Sequence, residues 1–382
     1  MNIDPAIAAR RGSRADLAAA LRDSRARTLA LLDAYVAALG ESLVVPYSVQ
    51  LNPPLWETGH TAWFQDYWIA RSRQRELGLR CDPEHERPAG RLPRADALYN
   101  SSRVAHDTRW GLVLPGLAAT RAYLADSLAE TQALLADAEA TDDALYFYRL
   151  VLFHEDMHAE AAIYMAQALD IALPAGLLRP AKTPGANAPL RIPAQGWILG
   201  YADAGFAFDN ELAAHAVAVA DYEIDSGPVS WARYLPFVEA GGAAPPRYLR
   251  RQDGQWQGRL FGAWRELNHD APAVHLSWHE ADAWCRWAGR RLPSEAEWEL
   301  AAGTRPEFRW GQVWEWTASR FLPYPGFVAH PYRDYSAPWF SDRYALRGAS
   351  RATAPRMVHP RYRNYFTPER NDIHAGFRSC AA

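Results

Sequence analysis

Apolar and polar positions alternate in two different rhythms along this chain, and the change falls near its middle. From Ala15 to Leu39 apolar residues recur at three- and four-residue spacing in a stretch dominated by alanine, leucine and arginine, which predicts a helix. "NPPLWETGHTAWFQDYWIARSRQREL", residues 52–77, offers Asn52 as a cap and prolines at the first turn, then about five turns of helix. The same period returns from Leu117 to Asp137, and again from Thr141-Asp142 through "ALYFYRLVLFHEDMHAEAAIYMAQAL" to Leu169. Four long helices predict an antiparallel bundle over residues 1–173, with a long crossover between the second and third.

The rhythm then breaks. Residues 174–196, "PAGLLRPAKTPGANAPLRIPAQG", hold five prolines and three glycines and show neither period, so a linker is expected. Over residues 197–382 the pattern becomes short strands such as "WILG" and "HAVAVADYEID", many turns, and one clear helix around "WHEADAWCRWAG". An α+β domain is expected there, and no internal repeat or low-complexity tract is visible.

Composition narrows the function. With 382 residues, 49% of them hydrophobic, and 16 tryptophans, the chain can bury two cores. A formal charge of −3 without a long basic run argues against nucleic acid and anionic membranes as partners and toward small molecules. The opening residues are charged throughout, and no stretch approaches the roughly 20 apolar residues of a membrane span, so a cytoplasmic protein is expected. Cys81, Cys285 and Cys380 are odd in number and far apart, which fits neither a disulfide framework nor a thiolate zinc site.

The candidate chemistry lies in "FHEDMHAE". His154 and His158 are four residues apart on a helix, hence on one face, where two imidazoles can aim at one point. An isolated pair of this spacing does not decide between ligand and filler. The apolar flanks "YFYRLVLF" and "AEAAIYMAQAL" make unpaired inward imidazoles costly, and His60 in "WETGHTAWF" supplies a third from another helix. Glu57 and Glu160 are expected as acceptors for imidazole N–H groups. His85, His106, His215, His269, His275, His279, His330, His359 and His374 show no ligand spacing.

In these segments and those that follow, the chain resembles the nonheme iron sulfoxide synthases of ergothioneine biosynthesis, in which a helical, DinB-like domain precedes a formylglycine-generating-enzyme-like domain of C-type-lectin-like fold. "GHTAWF" and "HEDMH" resemble the family's metal segments, implying His60, His154 and His158 as ligands of Fe(II), with O2 as co-substrate. "FAFDNE", "VHLSWHEADAWCRWAGRRLPSEAEWELAA", "VWEWTASRFLPYPGF", "YALRGAS" and "RYRNYFTPERNDIHAGFR" follow the formylglycine-generating fold in order. Within them Trp278, Trp284, Trp298, Trp314 and Trp316 are expected to build the core, and Glu297 and Arg347 to satisfy buried polar groups. Formylglycine generation needs a close cysteine pair near the end of the domain, and only Cys380 is there.

The resemblance implies a reaction that joins a chalcogen to the imidazole carbon of hercynine, a trimethylated betaine. A tyrosine of "HPYRDYSAPWF", Tyr332 ahead of Tyr335, is implied as the catalytic proton or hydrogen donor. Asn364, Tyr365 and Phe366 occupy the family's RNWD segment and are implied as substrate residues, with aromatic faces suited to a quaternary cation. Several positions depart from the thiol-using members. Arg109 matches the first of two donor-binding arginines, Leu112 stands where the second is expected, Phe366 replaces an aspartate, and Met157 replaces a glutamine. This pattern is similar to that of the selenoneine synthases, which take a selenosugar and hercynine to selenoneine. The alternatives are a sulfoxide synthase using cysteine or γ-glutamylcysteine and, in another class, a noncatalytic small-molecule binding module.

Overall fold

A computed structural model of the protein describes residues 4–182, 185 and 187–382. A short helix α1 (Pro5–Arg11) leads into α2 (Arg14–Leu39), whose start is closed by a capping box between Ser13 and Asp16. Next come α3 (Pro54–Gln65), the single turn α4 (Ala95–Tyr99), α5 (Leu117–Asp137) and α6 (Asp142–Ala168). The four long helices α2, α3, α5 and α6 pack on one another, and the α3–α5 connection is the expected long crossover.

The second helix departs from expectation at both ends. Pro53 rather than Asn52 stands at the cap, because the Asn52 side chain is drawn away to Glu57. After Gln65 the helix widens into a π turn, Asp66–Ala70, an irregularity often found beside functional sites. One buried guanidinium sets the register of the bundle. Arg25 of α2 donates to Glu155 of α6 at 2.7 Å, to Gln65 of α3 at 2.8 Å and to the carbonyl of Leu124 in α5, so it touches all four long helices.

Among the described residues the second half is built from α7 (Trp231–Glu239), α8 (Trp278–Trp287), α9 (Glu295–Thr304) and thirteen short strands. Strands β1 (Pro189–Ile192), β4 (Tyr222–Asp225), β13 (Cys380–Ala381) and β8 (Arg290–Arg291) form one sheet in that order. Strands β11 (Asn364–Phe366), β10 (Tyr344–Gly348), β9 (Trp314–Arg320) and β12 (Ala375–Phe377) form another, with only the β12–β9 pairing parallel. A hairpin of β2 (Gln195–Leu199) and β3 (His215–Val219) and a meander of β5 (Leu249–Gln252), β6 (Gln255–Leu260) and β7 (Ala263–Glu266) complete it.

Part of the 174–196 stretch is not a linker: its end forms β1 and the first residues of β2, while Thr183, Pro184 and Ala186 lie outside the described residues. Pro189 opens β1, and β1 is an edge strand, where a missing N–H costs no ladder bond. Trp284, Trp298, Trp314 and Trp316 are buried as expected, with Trp278 partly so. Arg347 sits in a buried ion pair with Glu299. Glu297 pairs with Arg291 at 2.7 Å and closes the α9 capping box. The three cysteines are free and buried, and burial pushes the Cys380 thiol up to about 12, far from thiolate chemistry.

Helix α6 is buried nearly all round because it lies between the other helices and the second half. Phe153 stacks on Phe206 at 5.2 Å, and Asp156 pairs with Arg356 at 2.6 Å. Glu160 accepts hydrogen bonds from Trp314 (2.7 Å), Ser350 (2.7 Å) and Thr353 (3.0 Å). At the other end α1 sends Arg10 into a buried pair with Glu211 at 2.9 Å. These contacts hold the histidine-bearing face of α6 against the loops and strands of the second half.

Candidate metal centre

The three histidines converge. His60 comes from α3, His154 and His158 from successive turns of α6, and their candidate ligand atoms all lie within 4.8 Å of one another. His154 Nε2 is 3.2 Å from Nε2 of His60 and 3.2 Å from Nε2 of His158. Aromatic rings at helical spacing hold the imidazoles in place. His60 lies parallel to Trp56 at 4.9 Å, four residues earlier, and His154 stacks on Phe64 at 3.5 Å.

Hydrogen bonds to the far nitrogens set the tautomers. His60 Nδ1 lies 2.7 Å from the carbonyl oxygen of Tyr99, which can only accept, so Nδ1 carries the proton and Nε2 a lone pair. His158 Nδ1 donates to Glu57 Oε2 at 2.6 Å, which leaves its Nε2 bare as well. Gly59 makes the first of these bonds possible, since a Cβ there would sit 2.4 Å from the Tyr99 ring.

Burial, reinforced by the neighbouring histidines, pushes His60 down to about 3 and His154 well below the ordinary imidazole range, so both are neutral near pH 7. Burial alone would raise Glu57, but His158 and His60 outweigh it and bring its carboxyl down to about 2. The ring of His154 can place at most one proton on Nε2 and so can satisfy only one of its two contacts. At least one Nε2–Nε2 approach is therefore left without a hydrogen bond, an arrangement that a cation between the rings makes favourable. The donor set fits a metal, and neutral imidazole suits iron, zinc, copper and nickel alike.

Beside the cluster opens a cavity of ≈ 300 Å³, large enough for a small organic molecule. His154, Met157, His158, Tyr332, Tyr335, Asn364, Tyr365 and Phe366 all line it. The Tyr332 ring is 6.1 Å from that of His154 and meets Phe64 edge-on at 4.9 Å. Tyr335 turns elsewhere: it stacks on Phe208 at 4.1 Å, and its hydroxyl is 3.1 Å from that of Tyr362. Burial raises the Tyr332 phenol above its usual range. Met157 receives the Tyr362 hydroxyl at 3.5 Å. Tyr365 stacks on Phe321 at 4.0 Å and spends its hydroxyl on the Tyr335 carbonyl, while Phe366 packs edge-on against Tyr164 at 6.5 Å.

Arg109 is the expected site residue that the structure does not bring to the cavity. It stands behind Asn52, donating to that side chain at 2.8 Å and lying 3.9 Å over the Trp56 ring. Glu57 accepts from an imidazole as expected, whereas Glu160 is committed to Trp314, Ser350 and Thr353. Asn52, Tyr164, Trp314, Tyr362 and His374 also line the cavity and carried no ligand signal in the sequence, being a lone amide, aromatics in core-like runs and an isolated histidine. Among the described residues, no lysine or arginine lines it.

Comparison with known proteins accords with this architecture. The DinB superfamily matches residues 20–166, and the sulfatase-modifying factor enzyme 1-like domain matches 179–312 and 309–382. The chain is 30% identical to the hercynine oxygenase of Mycolicibacterium smegmatis, over 96% of this chain and 98% of that protein. The chain belongs to the ergothioneine sulfoxide synthase-like family. A second relative, the hercynine oxygenase of Mycobacterium tuberculosis, is 29% identical over 95% of this chain and 97% of its own length. The formylglycine-generating enzyme of Streptomyces coelicolor is 33% identical over 34% of this chain and half of its own. As in the family's general plan, a DinB-like helical domain precedes a formylglycine-generating-enzyme-like domain. Among the described residues no helix is long and apolar enough to cross a membrane.

Proposed function

We propose that this protein is a selenoneine synthase, an Fe(II)- and O2-dependent enzyme that forms a carbon–selenium bond between hercynine and a selenosugar. The relatives' name, hercynine oxygenase, supports hercynine and dioxygen as substrates. The choice of donor rests on one observation: among the described residues, no lysine or arginine lines the cavity beside the histidines. A thiol peptide or amino acid brings carboxylates that need charge-assisted partners, each contributing about 1.5–3 kcal/mol. Here Arg109 is already engaged by Asn52 and Trp56, Leu112 packs against the core, and Phe366 offers a ring where the thiol-using members place an aspartate. A neutral sugar loses nothing in such a cavity.

His60, His154 and His158 would hold the iron, which supplies one-electron chemistry with O2 that no side chain can. The aromatic lining suits the trimethylammonium group of hercynine, a cation–π contact of about 2 kcal/mol when desolvated. Asn364 keeps its amide N–H groups for the hercynine carboxylate, because its oxygen takes the backbone N–H of Tyr365. Tyr332, protonated by virtue of its burial and with its ring 6.1 Å from that of His154, is the group placed to deliver a proton or hydrogen atom. Burial keeps the Tyr335 phenol protonated as well; its hydroxyl is engaged by Tyr362, while that of Tyr332 is hydrogen-bonded to Ser101.

A thiol-using sulfoxide synthase is the second reading, favoured by the chain's membership of the ergothioneine sulfoxide synthase-like family. The test supplies anaerobically reconstituted protein with hercynine, then O2, and either a selenosugar, γ-glutamylcysteine or cysteine, and follows products by mass spectrometry. Turnover with the selenosugar supports the proposal, and turnover with only a thiol donor reverses it.

A further inference from the structure

We infer that Arg109 is a positioning residue for the three-histidine cluster, acting on two of its imidazoles at once. The inference rests on the metal reading and not on the choice of chalcogen donor. One arm runs through hydrogen bonds: Arg109 Nη1 donates to Asn52 Oδ1 at 2.8 Å, Asn52 Nδ2 donates to Glu57 Oε1 at 2.7 Å, and Glu57 Oε2 accepts from His158 Nδ1 at 2.6 Å. The other runs through stacked planes. The guanidinium covers Trp56 at 3.9 Å, and Trp56 lies 8° from parallel with His60.

Each link has a single sense. A guanidinium only donates and a carboxylate only accepts, so Asn52 between them has one orientation: oxygen toward Arg109, nitrogen toward Glu57. A flipped amide would set N–H against N–H on one side and oxygen against carboxylate on the other. With Asn52 locked, Glu57 keeps one oxygen for Asn52 and aims the other at His158. That bond keeps the His158 proton on Nδ1 and the lone pair facing the cluster. On the second arm Trp56 is pinned from three directions, by the guanidinium, by His60 and by its own Nε1–H to the Leu98 carbonyl at 2.7 Å. Arg109 also donates to the Val104 carbonyl at 3.2 Å, which anchors it to its own loop. Lysine cannot reproduce this, since an ammonium neither lies flat on an indole nor holds its donors in the fixed planar spread of a guanidinium.

The test is anaerobic titration of the metal-free full-length chain with Co(II), whose d–d absorption reports the coordination geometry. Arg109→Gln should weaken Co(II) binding by about 10- to 100-fold, the usual effect of losing a partner behind a metal ligand, and should alter the d–d spectrum. Arg109→Lys should fall between Arg109→Gln and wild type. Asn52→Ala, which leaves the guanidinium on Trp56 and breaks only the His158 arm, should also weaken binding, and it decides the matter if Arg109→Gln does not fold. Folded Arg109→Gln, or Asn52→Ala in its place, binding Co(II) within about twofold of wild type with an unchanged spectrum overturns the inference. Wild type that binds no Co(II) overturns the metal reading itself, a separate result.

Discussion

Replacing Glu57 by glutamine tests the tautomer logic of the site without changing its shape. Glu57 accepts two hydrogen bonds, from Asn52 at 2.7 Å and from His158 at 2.6 Å. Glutamine has one oxygen and one NH2. If the oxygen stays with Asn52, the NH2 faces His158 Nδ1, which must then accept, and the imidazole proton moves to Nε2, where it blocks the lone pair aimed at the cluster. If the oxygen turns to His158, two NH2 groups face each other, and relieving that contact by flipping Asn52 sets N–H against Arg109. Either outcome removes one charge-assisted hydrogen bond, about 1.5–3 kcal/mol, or roughly 10- to 150-fold in metal affinity at 1.4 kcal/mol per tenfold. The assay is chelator competition with Co(II), together with nitrogen NMR of labelled histidine to locate the His158 proton. Wild-type affinity in Glu57→Gln, with the proton still on Nδ1, would refute the reasoning.

Other predictions follow from the same geometry. Glu160→Ala leaves three buried donors on Trp314, Ser350 and Thr353 without an acceptor and should cost at least about 3 kcal/mol in urea unfolding; a loss under about 1 kcal/mol would contradict its role in joining α6 to the second half. Tyr332→Phe should slow product formation about 100-fold, the usual scale for a lost proton donor, and leave metal affinity unchanged, while Tyr335→Phe should act mainly through stability; the reverse pattern would exchange their roles. Burial holds His275, His330 and His359 down to about 3, 4 and 2, so the unfolded chain takes up protons near pH 6.5 while the folded one does not. Stability is therefore intact above about pH 6.5 and falls below it, down to about pH 4 for His330, 3 for His275 and 2 for His359, each histidine contributing up to about 1.4 kcal/mol per pH unit. Asp209, raised to about 6 by burial, offsets one of them below that pH. Urea midpoints at pH 7 and pH 5 that coincide would contradict this.

The long helices were legible because they depend on local periodicity, and the histidine triad because its spacing and apolar flanks were joined by the resemblance of "GHTAWF" and "HEDMH" to the family's metal segments. An apolar period of 3.6 and two imidazoles four apart are written within a single segment, and aromatics at four-residue spacing from His60 mark the face on which it lies. What joins segments was not. Nothing in the run around Arg25 announces a guanidinium that would meet four helices, and Arg109 is implied as a substrate residue by the resemblance, its partners Asn52 and Trp56 lying more than fifty residues away in the sequence. Asn52 itself resembled a helix cap, a role its side chain gives up for Glu57. The prolines of 174–196 hid an edge strand, since proline argues against a strand only where the N–H must enter a ladder. Tyr362, Trp314 and His374 reach the cavity through chain reversals among β9, β11 and β12, which no local period encodes.

The most direct test of the central claim is the iron content of anaerobically reconstituted protein, measured for wild type and for His154→Ala, whose missing Nε2 is 3.2 Å from that of each of the others. Wild type should hold one Fe(II) per chain and the variant little. Iron well below one per chain in the wild type, unchanged in His154→Ala, would contradict convergence of the three histidines on a metal and leave a noncatalytic binding module as the better description.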